Sequence, residues 1–266
     1  MLTCRRRRVE NARLADGGNR TAAPAAIPGG GGHNAGMHRT ALLAGATGLV
    51  GRELLSLLLD DSDVAEVVAL TRRPMATPHP KLQQGIVEFD QLTSFALPPV
   101  DDFYCCLGTT IKQAGSQQAF REVDLVYPVT IARMALAAGA TRCLLVSSMG
   151  ANPQSRVFYN QVKGEVEAEL ARLPFQTVVA FRPSFLTGVR TEFRAGERAA
   201  LALAQPISFL LPARIRPVAA ADVARAMLAC AKSDKVGRFV VSSDEIRRIA
   251  SESQSALRIS PSALRA

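Results

Sequence analysis

From residue 40 onward, short apolar runs alternate with longer stretches whose apolar positions recur at helical spacing. That alternation predicts repeated βαβ units on a parallel sheet. Strands are expected at 40–44, 64–71, 86–89, 103–107, 143–147, 177–181 and 239–241, and the clearest helices at 49–59, 117–138, 157–173 and 222–231. Asp222 stands where its side chain can cap the last of these. The fold class is therefore α/β, a doubly wound parallel sheet with a small C-terminal region, and the run GATGLVG after the first strand makes it Rossmann-type. No internal repeat is visible.

Composition fixes the limits of this domain. The 266 residues, 48% hydrophobic and 21% charged, suffice for one large core. Residues 1–36 combine an Arg run, Ala/Pro pieces and the tract Gly29 to Gly32. Such a stretch buries too little apolar surface to offset its ordering entropy, so a disordered leader is expected there. Met37 lies just before the first strand and is an alternative start to Met1. The domain is expected over 37–250, and the Ser-rich stretch 251–266 as a fraying tail.

The net charge of +9 includes a surplus of four from the leader, which holds six Arg against Glu10 and Asp16, and +5 remains for the rest. This mild excess, carried by Arg in an Ala-rich chain, argues against nucleic acid as partner. Cys4, Cys105, Cys106, Cys143 and Cys230 show no C-x-x-C spacing, and three of them lie in strand-like runs. They read as reduced thiols, and the scattered His33, His38 and His79 suggest no metal site. No apolar run reaches the roughly 18 residues of a membrane span, and no signal-peptide segment follows Arg5 to Arg8. A soluble, cytoplasmic protein is expected.

The run GATGLVG lies between the apolar strand ALLA and the amphipathic stretch VGRELLSLLL. Gly45 permits a sharp turn, Gly48 lets backbone N–H groups approach phosphate oxygens, and Gly51 lets the helix pack close to the sheet. The helix N-terminus adds partial positive charge, so the turn suits a pyrophosphate. At the end of the second strand, where an NAD-preferring domain carries an acid, the chain reads ALTRRP. Arg72 and Arg73 match the 2′-phosphate of NADP(H), the alternative being an ordinary exposed basic pair. Asp90, after the third strand, is placed either to accept from the adenine amino group or to cap a helix.

Tyr159 and Lys163 lie one turn apart on one helix face. A free phenol, with pKa roughly 10, is a weak acid–base catalyst at neutral pH, and a neighbouring ammonium favours its phenolate form. The pair thus suits proton transfer, a solvated helix pair being the bland alternative. Ser147 and Ser148 end the fifth strand, where α/β folds assemble their sites. Either hydroxyl could polarise a carbonyl while the other caps the strand, and Ser148 is favoured. The chain leaves the fourth strand through CLGTT, so the backbone at Leu107 and Gly108 can run past a cofactor. Glu165, Glu167 and Glu169 look like a solvated helix surface.

In order, GATGLVG, TRRP, CCLGTT, VSSMGA, YNQVKGEVEAEL and FRPSFL resemble the atypical short-chain dehydrogenase/reductase superfamily, and within it the family of the human Tat-interacting oxidoreductase and its bacterial NAD(P)H-binding relatives. The resemblance runs from about residue 40 to about residue 242. It implies NADPH contacts at Thr47, Gly48, Leu49 and Val50, at Arg72 and Arg73, at Leu107 and Gly108, and at Tyr159 and Lys163. It also implies Tyr159 as proton donor or acceptor, and Pro183 and Leu186 along the nicotinamide side. One departure stands out: where many members of the superfamily carry an Asn after the fourth strand, this chain has Asp124, which puts a proton relay there in doubt.

The resulting expectation is an NADP(H)-dependent oxidoreductase acting on a small-molecule carbonyl or carbinol. The competing classes are a cofactor-binding regulator without turnover and a sugar-nucleotide epimerase or dehydratase. The region after Tyr159 is short for the last of these. Specificity falls to 187–211, where Arg190, Arg194 and Arg198 either bind an acidic group or face water. A protein partner and a homodimer both stay open.

Overall fold

The computed structural model describes residues 39–188, 212 and 214–258. The expectations for the leader, for Arg190, Arg194 and Arg198, and for the chain beyond 258 lie outside the described residues. Seven strands form one all-parallel sheet: β1 (Arg39–Ala44), β2 (Val64–Thr71), β3 (Leu82–Ile86), β4 (Asp102–Cys105), β5 (Arg142–Val146), β6 (Thr177–Arg182) and, at the far edge, β9 (Gly237–Ser242). Their spatial order is β3-β2-β1-β4-β5-β6-β9. Two short strands, β7 (Leu186–Thr187) and β8 (Val218–Ala219), pair separately.

Helices cover both faces, as parallel strands buried on two sides require. On one face α1 (Leu49–Asp60), α6 (Ala220–Ala231) and α7 (Ser243–Arg258) enclose a core with Leu43, Leu54, Leu58, Val67, Phe181, Met227 and Ile246. On the other, α4 (Tyr127–Ala137) and α5 (Phe158–Arg172) enclose Leu42, Phe103, Ile131, Leu145, Val166 and Leu170. Successive β1 residues supply the two faces in turn, Leu42 one and Leu43 the other. Each such side chain contributes roughly 1.5–3 kcal/mol by leaving water. The chain runs outward from β1 in both directions, so the crevice between β1 and β4 opens at the carboxyl ends of the strands, where doubly wound folds bind ligands.

Four boundaries depart from expectation. The third strand is LQQGI rather than 86–89: as an edge strand it buries only Gly85, while Val87 and Phe89 pack into the core from the loop and 3₁₀ turn that follow. The single helix expected over 117–138 is broken into α3 (Gln117–Arg121), a π-turn over Glu122–Val126, and α4. A short α2 (Ile111–Ala114) precedes these, capped by the Thr110 hydroxyl. Asp222 does not cap α6: Ala219 holds that position, and the Asp222 carboxylate pairs with Arg225 one turn on. Finally, the chain expected to fray from Ser251 continues as α7 to Arg258, its Ile246 and Ile249 anchored in the core.

Candidate functional site

Gly45 adopts φ +86°, and a Cβ there would stand 2.5 Å from the Cys106 carbonyl oxygen, so both the turn and the neighbouring strand exclude a side chain. A Cβ on Gly51 would stand 2.0 Å from the Gly45 oxygen, which brings α1 against the turn. Gly48 is the N-cap of α1 without a side-chain bond, and no acid lies in the first turn. The first amides of the helix are therefore left for an anion at the head of the crevice. Thr47 and Gly48 are exposed at the tip, Leu49 is half-buried, and Val50 is sunk in the core, so that its backbone amide is what it offers to the turn. This cradle fits a dinucleotide pyrophosphate.

At the carboxyl end of β2, Arg72 and Arg73 are both exposed. Asp90 lies inside the 3₁₀ turn Phe89–Ser94 rather than at its cap, which is Glu88. Its carboxylate accepts a hydrogen bond from the Tyr127 hydroxyl. That bond, more than desolvation, pushes the Tyr127 phenol up to about 12, and Arg72 opposes the shift, which puts Arg72 and the Tyr127–Asp90 pair in one electrostatic neighbourhood. The chemistry is elsewhere.

The backbone at Cys106 extends the β1 ladder, its amide donating to the Ala44 carbonyl at 2.8 Å. Leu107 is half-buried and Gly108 exposed. A Cβ on Gly108 would lie 3.7 Å from Lys163 Nζ, so the exit of β4 touches both the glycine turn and the α5 lysine. Lys163 is 4% exposed, and its ammonium sits 2.7 Å from Asp124 Oδ1. Burial, the largest influence, pulls the Lys163 pKa down. Asp124, Tyr159 and Cys105 together outweigh it, and the ammonium is held above its ordinary range. Tyr159, half-buried one turn earlier, packs its ring on Phe120 at a centroid separation of 5.6 Å.

The two serines after β5 differ sharply. Ser147 Oγ donates to Glu167 Oε1, and Glu167 also takes a two-pronged contact from Arg182 at the end of β6. Ser148 Oγ is buried and has no hydrogen-bond partner among the described residues. Around it the loops run in register: Ser147 N–H donates to the Phe181 carbonyl and Met149 N–H to that of buried Pro183. Leu186, half-buried in β7, packs against the α1–α6 core.

The expectation that Glu165, Glu167 and Glu169 form a solvated surface fails at Glu167. Glu167 is 10% exposed and ties α5 to β5 and β6, Glu165 pairs with Arg121 and Gln161, and Glu169 pairs with Arg172. Two further residues were not singled out from sequence. Gly164, beside Lys163, brings α5 onto the Asn152–Pro153 backbone, where a Cβ would lie 2.2 Å away. A glycine inside an otherwise good helix was its signal. Arg182 gave none, being one Arg among many.

The chain matches a family model described as NAD(P)H-binding over residues 45–176. It is 36% identical over 169 residues to Protein FMP52, mitochondrial, of Coccidioides immitis, covering 58% of this chain and 69% of that protein. To Protein HTATIP2 of Rattus norvegicus it is 35% identical over 166 residues, covering 60% and 68%. Among solved structures, the ADP-L-glycero-D-manno-heptose-6-epimerase of Helicobacter pylori superposes with TM-score 0.59 at 18% identity, covering 81% of this chain and 82% of its own. MoeE5 in complex with UDP-glucuronic acid and NAD superposes with TM-score 0.58 at 17% identity, covering 80% and 81%. At such identities these two show the Rossmann-like fold alone. The expectation of a cytoplasmic protein is overturned, since the FMP52 relatives from several fungi are named mitochondrial and the absence of a recognised signal was no evidence against that compartment. The glycine cradle, the sheet order and the relatives converge, and the chain belongs to the NAD(P)H-binding, oxidoreductase-like family that includes HTATIP2 and FMP52, within the atypical short-chain dehydrogenase/reductase group.

Proposed function

We propose that the protein is an NADP(H)-dependent oxidoreductase that interconverts a carbonyl and a hydroxyl group, with Tyr159 as proton donor and acceptor. The observation that carries this reading is the buried Lys163 ammonium one helical turn from Tyr159, at the loop leaving β4. A nicotinamide held there would supply or accept the hydride. The chain provides the rest. The uncapped first turn of α1 holds the pyrophosphate, and Leu107 and Gly108 border the cofactor's path. Tyr159 gives its hydroxyl proton to the substrate oxygen during reduction and takes it back during oxidation. Lys163 favours the phenolate left behind and donates to ribose hydroxyls. Ser148, whose buried hydroxyl has no other partner among the described residues, donates to the substrate oxygen.

The preference for NADP(H) is supported by two exposed guanidinium groups at the end of β2 and by the lack of an acid there. Calorimetric titration tests it: NADPH binds more tightly than NADH to the wild type, and Arg72→Ala/Arg73→Ala removes the difference by weakening NADPH at least tenfold. Equal affinities in the wild type reject it. For the chemistry, Tyr159→Phe lowers turnover of a carbonyl substrate found by screening at least 10³-fold while NADPH affinity stays within about threefold. Undiminished turnover rejects the proton-transfer role. A wild type that binds NADPH and turns over nothing would favour a regulatory protein instead.

A further inference from the structure

Asp124 is 1% exposed in the π-turn, and it faces two donors. Its Oδ1 lies 2.7 Å from Lys163 Nζ, and its Oδ2 accepts the backbone N–H of Thr109 at 2.9 Å. A carboxylate accepts on both oxygens, whereas an Asn would turn an amide NH₂ toward one of these donors. The residue type is thus set by its surroundings, an ammonium on one side and a backbone amide on the other. Taking the role of Lys163 from the oxidoreductase reading, we propose that Asp124 is a positioning residue whose single carboxylate joins the Lys163 ammonium to the Gly108–Thr109 loop, so that cation and loop meet the nicotinamide ribose as one unit.

An ammonium carries three N–H donors on a flexible stem. The ion pair with Asp124 Oδ1, at 2.7 Å, fixes where that ammonium sits and so restricts where its donors can point. Gly108 belongs to the same assembly: a Cβ there would stand 3.6 Å from Asp124 Oδ1 and 3.7 Å from Lys163 Nζ. The π-turn supplies the geometry, because its extra residue changes the helical phase at the point where Asp124 must reach α5, and such turns recur at functional sites. The groups acting on Lys163 are Asp124 from the π-turn, Tyr159 from its own helix and the Cys105 thiol from β4. With Asp124 as counter-ion, Lys163 stays an ammonium and serves as a fixed donor, not as a link that gives up its proton.

The test is a double-mutant cycle on the full chain, read by NADPH affinity and by hydrogen exchange at the Thr109 amide. Asp124→Asn weakens NADPH at least tenfold in the wild-type background and less than twofold in Lys163→Met, because its effect passes through the lysine. Thr109 exchange accelerates in Asp124→Ala, which leaves that amide no side-chain acceptor. Should that variant fold poorly, Asp124→Ala/Lys163→Met carries no buried charge, and faster Thr109 exchange there than in Lys163→Met supports the clamp on the loop. Equal affinity losses in both backgrounds, or undisturbed Thr109 exchange, overturn the proposal. Both arms read binding and exchange, so they decide the clamp even in a protein that binds NADPH without turnover, an outcome that defeats only the oxidoreductase reading.

Discussion

Ser147 and Ser148 are neighbours in sequence with different surroundings: one hydroxyl is spent on Glu167, the other is buried without a partner among the described residues. Removing each should have opposite consequences. Ser147→Ala breaks a hydrogen bond to a carboxylate and costs about 1–2 kcal/mol of stability in denaturant unfolding, with turnover within about threefold of wild type. Ser148→Ala leaves stability within about 0.5 kcal/mol, since an unsatisfied hydroxyl has little to lose, and lowers kcat/KM by roughly 10²-fold. The opposite ranking would assign the chemistry to Ser147. The serine pair was legible at the end of an apolar run, but the choice between its members depended on an acid twenty residues away. Part of that could have been read. Glutamates at i, i+2 and i+4 of a helix cannot share one face, because each step of two turns the side chain by about 200°. Glu167 therefore points away from Glu165 and Glu169, into the protein.

Among the elements, α5 carries the Tyr and Lys, and its placement depends on one contact that has no side chain. At Gly164 the helix backbone meets Asn152 and Pro153 so closely that a methyl group would require the helix to move. Gly164→Ala should cost about 2 kcal/mol or more in spite of roughly 1 kcal/mol gained in helix propensity, and should depress turnover because Tyr159 shifts with the helix. Unchanged unfolding midpoint and turnover would show that the contact does not position α5. The elements themselves were largely legible, since strands buried on both faces leave continuous apolar runs and amphipathic helices leave a period. What escaped was of two kinds. β3, an edge strand with polar Gln83 and Gln84, has no such run. The π-turn is one extra residue, and a 3.6-residue period read over twenty positions averages it away.

For the whole molecule, the sheet separates two ends with different duties. At the carboxyl end lie the glycine turn, Ser148 and the Lys163–Asp124 pair. At the amino end, Asp102 of β4 pairs with Arg39 of β1 and Arg142 of β5, tying three adjacent strands together. Burial pushes the Asp102 carboxyl up to about 6, outweighing both guanidinium groups. The raised value means that the folded chain holds this proton more tightly than the unfolded chain. The corresponding stability is present in full below about pH 4 and is lost as the pH rises through about 6. Relative to Asp102→Asn, which cannot ionise, the wild type should lose about 2–3 kcal/mol between these limits, as read from urea unfolding midpoints at a series of pH values. A constant difference between the two would place the Asp102 titration outside this window. Cys105, Cys106 and Cys143 add nothing to that window, since burial lifts Cys105 to about 12 and raises the other two as well.

The π-turn at Glu122–Val126 has a consequence for how this stretch tolerates change. A substitution there alters one side chain, but deleting a single residue would let the helix close into ordinary turns and rotate everything before it by about 100° relative to α4. Asp124 would leave Lys163 and Thr109 together, although neither partner had been touched. Between α3 and α4, then, the number of residues matters as well as their identity, and a one-residue gap disturbs the Asp124–Lys163 pairing more than most exchanges of one amino acid for another.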